Sequence, residues 1–463
     1  MNNFAATIAA ISTPPGKGGV AVIRISGPES AEIASRVFRP VSNKSFIDAP
    51  VRKQVRGYIY YGDELVDDGM ATLFKAPHSY TGEDTVEIYC HGGILVTRTV
   101  LEAVLDAGAL PAEAGEFTRR AFVNGKISLT DAEAIGNLLE AKSRDQIRIF
   151  SESSRSLLAE KIAEIRGELT SVLSSIYARI DYPDEDLGDF SDEETVKMLL
   201  GARDKISRLS ATYQTGKAIS EGVRTVIAGK PNVGKSTVYN LILGRNAAIV
   251  TDIEGTTRDV LTEKIPLGRV LLDLSDTAGV RNDTTDPIEK IGIKKSLDAI
   301  SGAELILAVF DASRELDSED TELLSAIKSS QGARIAILNK CDLPKRIDRS
   351  LIDRSFDTVL EISSLADGEG SIIKLRDKIN ELFTDEKILQ GNEAIIATAR
   401  QNAELTRAHR MLTLAIDAYA SGITTDAASS DIELALCAIA ELDGREVTDE
   451  VTNDIFSKFC VGK

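Results

Sequence analysis

The sequence predicts a multidomain protein with α/β and all-α parts: an N-terminal α+β domain, a helical domain, and a parallel α/β domain inserted into that helical domain. Three observations predict it. Short β-rich runs mix with helical spacing over residues 1–123, long helical periods occupy 129–220 and return after 385, and strand runs alternate with helices over 223–384. The boundaries expected from these shifts are 1–124 for the first domain, 125–221 with 385–463 for the split helical domain, and 222–384 for the insertion. A length of 463 residues is itself a prior for about three domains.

The first domain opens with two β-rich runs, Thr7–Ile11 and Val20–Ile25, around Pro14-Pro15-Gly16-Lys17-Gly18-Gly19. That is strand, turn, strand. The glycines of this stretch mimic a dinucleotide fingerprint, but no helix follows them, so that reading fails. Gln54–Tyr61 and Thr85–Tyr89 are further strand candidates, and Ile94–Ala107 has helical spacing. From Leu129 apolar residues recur at three- and four-residue steps, through Ile162, Ile165, Leu169, Val172 and Ile176. An acidic stretch, 181–194, breaks this pattern and reads as a solvated loop. Within 223–384, Val223–Ala228, Val270–Leu274, Leu305–Phe310 and Arg334–Leu338 are the apolar strand runs of a parallel sheet.

Composition excludes several classes. Apolar residues make up 43% and no run approaches 18 uninterrupted apolar residues, so no membrane span is expected. The first residues read as no secretory signal, which leaves a cytoplasmic location as the expectation. Four cysteines without Cys-x-x-Cys spacing and three scattered histidines fit neither a disulfide scaffold nor a zinc site. The net charge of −18 repels phosphate at long range, so any nucleic-acid binding must be local or delegated to a partner.

The chemistry is carried by Gly229-Lys-Pro-Asn232-Val233-Gly234-Lys235-Ser236-Thr237, a G-x-x-x-x-G-K-[ST] loop between a strand and a helix. Its backbone N–H groups would cradle phosphates at a helix N-terminus, with Lys235 on the β- and γ-phosphates and Ser236 on Mg²⁺. Asp276-Thr277-Ala278-Gly279 ends the next strand, where Asp276 reaches Mg²⁺ through water and the Gly279 N–H meets the γ-phosphate. Asn339-Lys340-Cys341-Asp342 follows another strand, and the Asp342 carboxylate would accept N1–H and the 2-amino group of guanine. Ser363-Ser364-Leu365 would close over the base. Four such segments in order imply a Ras-like P-loop GTPase. Thr251-Asp252-Ile253-Glu254-Gly255-Thr256-Thr257 is the candidate first switch, with Thr257 completing the Mg²⁺ shell. Val280 stands where a Ras-type protein carries a water-orienting Gln, so hydrolysis needs another polar group and, lacking an arginine finger, another cation. Asn232 and backbone carbonyls near 251–256 could hold a monovalent one.

Three blocks and the C-terminus then resemble the MnmE (TrmE) family: the run from Ala6 to Pro28, the run from Tyr80 to Gly93, the run from Gly115 to Lys126, and Phe459-Cys460-Val461-Gly462-Lys463. The resemblance covers essentially the whole chain. It implies a GTP hydrolase acting in tRNA wobble-uridine modification, with a folate-binding N-terminal domain that forms a homodimer, and K⁺-dependent pairing of G domains. It places K⁺ on Asn232, Thr251, Ile253 and Thr256, Mg²⁺ on Ser236 and Thr257, and a hydrolysis-promoting acid at Glu289. It places the tetrahydrofolate derivative (5-formyl- or 5,10-methylenetetrahydrofolate) on Arg24, Glu87, Lys126 and Lys463. Its implied partners are an MnmG-like FAD protein, in a heterotetramer, and tRNA. Cys460 is a candidate nucleophile by position, although no base adjoins it in sequence, and packing is the plainer role.

An Era-like RNA-binding GTPase switch in ribosome assembly is the alternative. It leaves the N-terminal blocks unexplained. The guanine reading is testable by itself. Asp342→Asn should weaken GTP binding and relax selectivity towards xanthine nucleotides, because a buried polar site left unpaired rejects its ligand. Unchanged GTP affinity in calorimetry would show that guanine is read elsewhere.

Overall fold

The computed structural model describes residues 6–42, 44–182, 191–244, 264–274, 300–391, 394–421, 425–444 and 448–462. The chain forms two compact units, Met1–Leu139 with Ile439–Lys463, and Glu140–Ala438.

The first unit is built on a seven-stranded sheet of β1 (Ile8–Ile11), β2 (Gly18–Ser26), β3 (Phe38–Pro40), β4 (Gln54–Tyr61), β5 (Glu64–Phe74), β6 (Thr85–Gly92) and β7 (Leu110–Pro111). Their order is β3-β4-β5-β6-β2-β1-β7. β1 and β2 pair antiparallel, as the two-strand reading of the opening expects. Alternation along the strands sorts side chains between two faces. Ile23, Ile25, Ile59, Leu73 and Ile88 enter one core with Ile33 and Val100 from the helices Ser30–Val37 and Ile94–Asp106. On the opposite face Phe117, from the helix Glu116–Val123, packs on Ile8, Ala10 and Ala112. The side chain of Arg120 from that helix is buried, yet its charge is met by Glu83 at 3.2 Å, Glu116 at 2.8 Å and the carbonyl of Ala6 at 2.8 Å. A buried guanidinium needs such company.

Residues 125–139 and 439–463, which the expected boundaries group with the helical domain, lie in this first unit. Leu129 and Ala132 of the helix Leu129–Leu139 join Phe456 and Phe459 in one apolar cluster, with Phe122 packed against it. Behind that anchor the last residues dock on the first strands. Val461 bridges Ala114, and the Ser12 hydroxyl donates to the carbonyl of Gly462 at 3.0 Å. Gly462, at φ 100°, approaches so closely that a Cβ there would lie 2.1 Å from the Ile11 oxygen.

The second unit contains the long helices Glu152–Asp181, Asp192–Ala211 and Ala399–Ala420. Ile162, Ile165, Leu169, Val172 and Ile176 are buried, at the spacing that predicts them. Ser191 and Glu194 close a capping box at the start of Asp192–Ala211. The α/β part follows with β8 (Val223–Ala228), β9 (Lys264–Leu267), β10 (Val270–Asp273), β11 (Leu305–Asp311), β12 (Ala333–Asn339) and β13 (Thr358–Glu361), ordered β13-β12-β11-β8-β10-β9. All neighbours are parallel except β9 and β10. Every residue of β11 is buried, the mark of a central strand covered on both faces. This is the Ras-like P-loop arrangement.

The chain enters and leaves the α/β part through two segments laced together. The Thr212 hydroxyl accepts the N–H of Ile396 and the Thr215 hydroxyl accepts that of Asp385, both at 3.0 Å. Between them Gly216 presses on the backbone, where an added Cβ would lie 2.0 Å from the Ile396 oxygen. Gly216→Ala should therefore cost about 1–3 kcal/mol through overpacking. Urea denaturation followed by circular dichroism measures it, and an unchanged midpoint would refute this close approach.

Candidate functional site

A cavity of about 320 Å³ opens where β8 and β12 end. It is lined by Asn232, Gly234, Lys235, Ser236 and Thr237 on one side. Asn339, Lys340, Asp342 and Ser363 to Leu365 line the other. Each element delivers its residues for a local reason. β8 ends at Ala228, and Gly229 turns at φ 149° against the Val309 carbonyl, which a Cβ would approach to 2.5 Å. Asn232 and Gly234 take the left-handed region, at φ 62° and 103°, and Lys235–Leu243 is the helix that follows. The backbone N–H groups thus converge at a helix N-terminus, a cradle for phosphate.

Asn339 ties the cradle to the base side. Its amide donates to the Val233 carbonyl at 3.0 Å, and its side-chain oxygen accepts the Ser364 N–H at 3.1 Å. Gly234 must be glycine on this ground too, since a Cβ would sit 2.1 Å from the Asn339 nitrogen. Lys340, at φ 61°, donates to the Asn232 carbonyl at 3.0 Å and to Asp311 at 2.6 Å. Burial raises the Asp311 pKa, but hydrogen bonds from Lys340 and Ser313 outweigh it and hold the carboxyl below its usual range. The Asp342 carboxylate accepts the Ser363 hydroxyl, which in turn accepts the Ala366 N–H at 3.3 Å. The Asp342 carboxylate is thereby oriented beside the cavity. Leu365 is 87% exposed at its rim.

On the phosphate side Lys235 donates to the Lys230 carbonyl at 2.7 Å. The side chain of Lys230 is held by Asp317, and lies 3.3 Å from Glu319. The Lys230 hydrogen bond lowers Asp317 to about 2. Asp311 and Asp317 lie outside the motifs read from the sequence, and Lys230 fills an unspecified position of the phosphate loop. Their only signal is position, at the end of a strand, at a helix N-cap and inside the phosphate loop. Val233 is buried beneath the loop and Cys341 is partly buried beside it, where burial raises its thiol pKa. Thr251, Asp252, Ile253, Glu254, Gly255, Thr256, Thr257, Asp276, Thr277, Ala278, Gly279, Val280 and Glu289 lie outside the described residues, as does Lys463.

The first unit brings two of the remaining candidates together. Arg24 and Glu87 are direct cross-strand partners, with guanidinium–carboxylate distances of 2.9 and 3.1 Å. Tyr89 donates to the other carboxylate oxygen at 2.7 Å, and Tyr80 and Phe117 lie with their ring centres 5.1 and 5.6 Å from the guanidinium carbon. Burial, then the Glu87 carboxylate, pushes the Tyr89 hydroxyl up to about 12, so it stays a donor. Sequence reading missed Tyr89 and Phe117 because strand register reveals the first and the packing of the helix Glu116–Val123 reveals the second. Lys126 stands apart on the surface and donates to the Pro77 carbonyl at 2.9 Å. Cys460 is exposed, and its carbonyl accepts the Gly115 N–H at 3.5 Å.

Two family descriptions match the chain: the N-terminus of the GTP-binding protein TrmE over residues 7–126, and the MnmE helical domain over residues 129–460. Among curated proteins, the tRNA modification GTPase MnmE of Thermotoga petrophila is 40% identical over 460 residues, covering 99% of this chain and 100% of that protein. The one from Thermotoga maritima is 40% identical over 460 residues with the same coverage. The one from Clostridioides difficile is 38% identical over 459 residues, 99% of both chains. With both family descriptions matched and relatives 38–40% identical over nearly the whole of each chain, the chain belongs to the MnmE (TrmE) family of tRNA modification GTPases.

Proposed function

We propose that this chain is a potassium-activated GTP hydrolase. With an MnmG-like FAD protein, it adds a carboxymethylaminomethyl or aminomethyl group to carbon 5 of the wobble uridine of certain tRNAs, using a folate one-carbon donor. The observation that carries the reading is the convergence of the phosphate loop, Asn339–Asp342 and Ser363–Leu365 on one cavity, in a chain whose full-length relatives are named tRNA modification GTPases. Relatives that match from end to end leave an Era-like switch without an account of the N-terminal sheet and the helices.

In this reading residues 222–384 are the G domain, carried by a split helical domain. Asp342 selects guanine and Asn339 keeps the loops in register. Lys235 leaves the Lys230 carbonyl to neutralise charge between the β- and γ-phosphates. Ser236 and Thr257 would hold Mg²⁺, which supplies charge neutralisation at the phosphates. Asn232, Thr251, Ile253 and Thr256 would hold K⁺, and Glu289 would orient water in place of the missing glutamine. Arg24, Glu87, Lys126 and Lys463 would bind the folate, in a homodimer that works in the cytoplasm.

The partly buried Arg24–Glu87 pair fits the pterin end of a folate. Glu87 already carries the charge that an N–H and amino edge seeks, and Tyr80 and Phe117 supply aromatic faces beside it. The docked C-terminus supports the inclusion of Lys463, since Gly462 packs on the strand next to the one that carries Arg24.

Hydrolysis should depend on potassium, because Val280 cannot orient water. GTPase rates in KCl and NaCl at matched ionic strength measure this, and equal rates would remove the cation and return Asn232 to a turn residue. Deleting the protein should abolish the modified wobble nucleoside, as read by nucleoside analysis of cellular tRNA. An unchanged nucleoside profile would move the GTPase to another process.

A further inference from the structure

One face of the N-terminal sheet carries an unbroken row of cross-strand partners. Gln54 stands opposite Thr72, Thr72 opposite Glu87, and Glu87 opposite Arg24. Residues directly opposite one another share a face, so the row runs from the Arg24–Glu87 pair to the first residue of β4. Arg52 lies two residues before that end. Its backbone, at φ 59°, is fixed by an N–H bond to the Leu73 carbonyl at 2.8 Å. A strand spacing of about 4.8 Å and a rise of about 3.3 Å per residue put its Cα roughly 12 Å from that of Glu87.

The Arg52 guanidinium donates to the His78 carbonyl at 3.2 Å, while Lys126 donates to the neighbouring Pro77 carbonyl at 2.9 Å. Two cations therefore grip adjacent carbonyls of a single turn, and both side chains are exposed. Neither is in an ion pair with a carboxylate among the described residues. Lys75, at the start of the same turn, is paired with Asp84 at 2.6 Å and contributes no free charge. A guanidinium has five N–H donors and an ammonium three, so one bond to the turn leaves each cation with further donors. Their charge is held in place and left uncompensated, in a chain whose net charge is −18. The turn itself continues to Tyr80, beside Arg24.

We propose that Arg52 and Lys126 form a carboxylate subsite for the glutamyl tail of the folate, and that the protein binds folates bearing several γ-linked glutamyl residues more tightly than those bearing one. The proposal rests on the folate reading of Arg24 and Glu87. With the pterin at Glu87, the tail follows the row of strand partners towards Arg52, and each further glutamyl residue brings one more carboxylate to the two cations. Arg52 suits the task because its planar fork takes a carboxylate bidentately.

Calorimetric titration of the full chain with 5-formyltetrahydrofolate carrying one or five glutamyl residues tests this. The wild-type protein should bind the longer form roughly 10-fold more tightly, the gain expected of one charge-assisted contact. Arg52→Gln should abolish that preference, weakening the long form more than the one-glutamyl form, and Arg52→Lys should restore part of it. Equal wild-type affinities for the two forms, or an Arg52→Gln protein that keeps the preference, would overturn the subsite. A pentaglutamate without a pterin should bind far more weakly. If it bound as tightly as the long folate, the cations would serve an independent acidic ligand and the proposal would fall. If neither folate bound, the folate reading of Arg24 and Glu87 would fail first, a result distinct from the other two.

Discussion

The nucleotide site depends on the carboxamide of Asn339. From the end of β12 it holds two loops with one planar group: the phosphate loop through the Val233 carbonyl and the Ser363–Leu365 loop through the Ser364 N–H. The group is buried, so each bond carries the full cost of leaving a polar atom unpaired. Gly234 has to lack a side chain because Asn339 is there, and Lys340 reaches across to Asn232 and Asp311 because Asn339 brings β12 to that point. An aspartate of the same shape would place a second acceptor against the Val233 carbonyl, so the amide is specific.

Much of this was legible in the chain. The phosphate loop, Asn339–Asp342 and Ser363–Leu365 are contiguous motifs, each set by local backbone geometry at a strand end. Strand and helix types followed from periodicity, and the unbroken apolar run Leu305–Phe310 read as a strand of a parallel sheet. What was not legible depends on pairing across distance. Nothing in the sequence says that Arg24 meets Glu87, because one residue of register slip would put the two on opposite faces. Nor does helical spacing say which core a helix joins. Leu129, Phe456 and Phe459 have ordinary amphipathic positions, and only their mutual packing places them together in the N-terminal unit. The Lys230–Asp317 contact joins residues 87 apart and leaves no local trace.

The two sheets solve different problems. In the α/β part a fully buried parallel strand supplies rigidity, and function sits on the loops at one end, where backbone N–H groups are free to face a ligand. In the N-terminal unit the sheet is antiparallel apart from its last strand, and one face is closed by helices. The other face keeps charged and aromatic side chains, Arg24, Glu87, Tyr89 and Tyr80, in a half-buried layer. Salt screens the acidic surface within about 10 Å, so short-range cations such as Arg52 can act despite an overall charge of −18.

The docked C-terminus also sets an order of events during synthesis. The hydroxyl of Ser12 and the carbonyl of Gly462 are 450 residues apart in sequence. The first strands to leave the ribosome therefore wait for the last residues before their sheet acquires its final contacts. The residues between Glu140 and Ala438 form a compact unit of their own, which can close while translation is still under way. Joining the two ends across so long a loop is entropically costly, and the cost falls once the intervening chain is compact. Early folding of the GTPase portion thereby shortens the effective loop that the N-terminal sheet has to close.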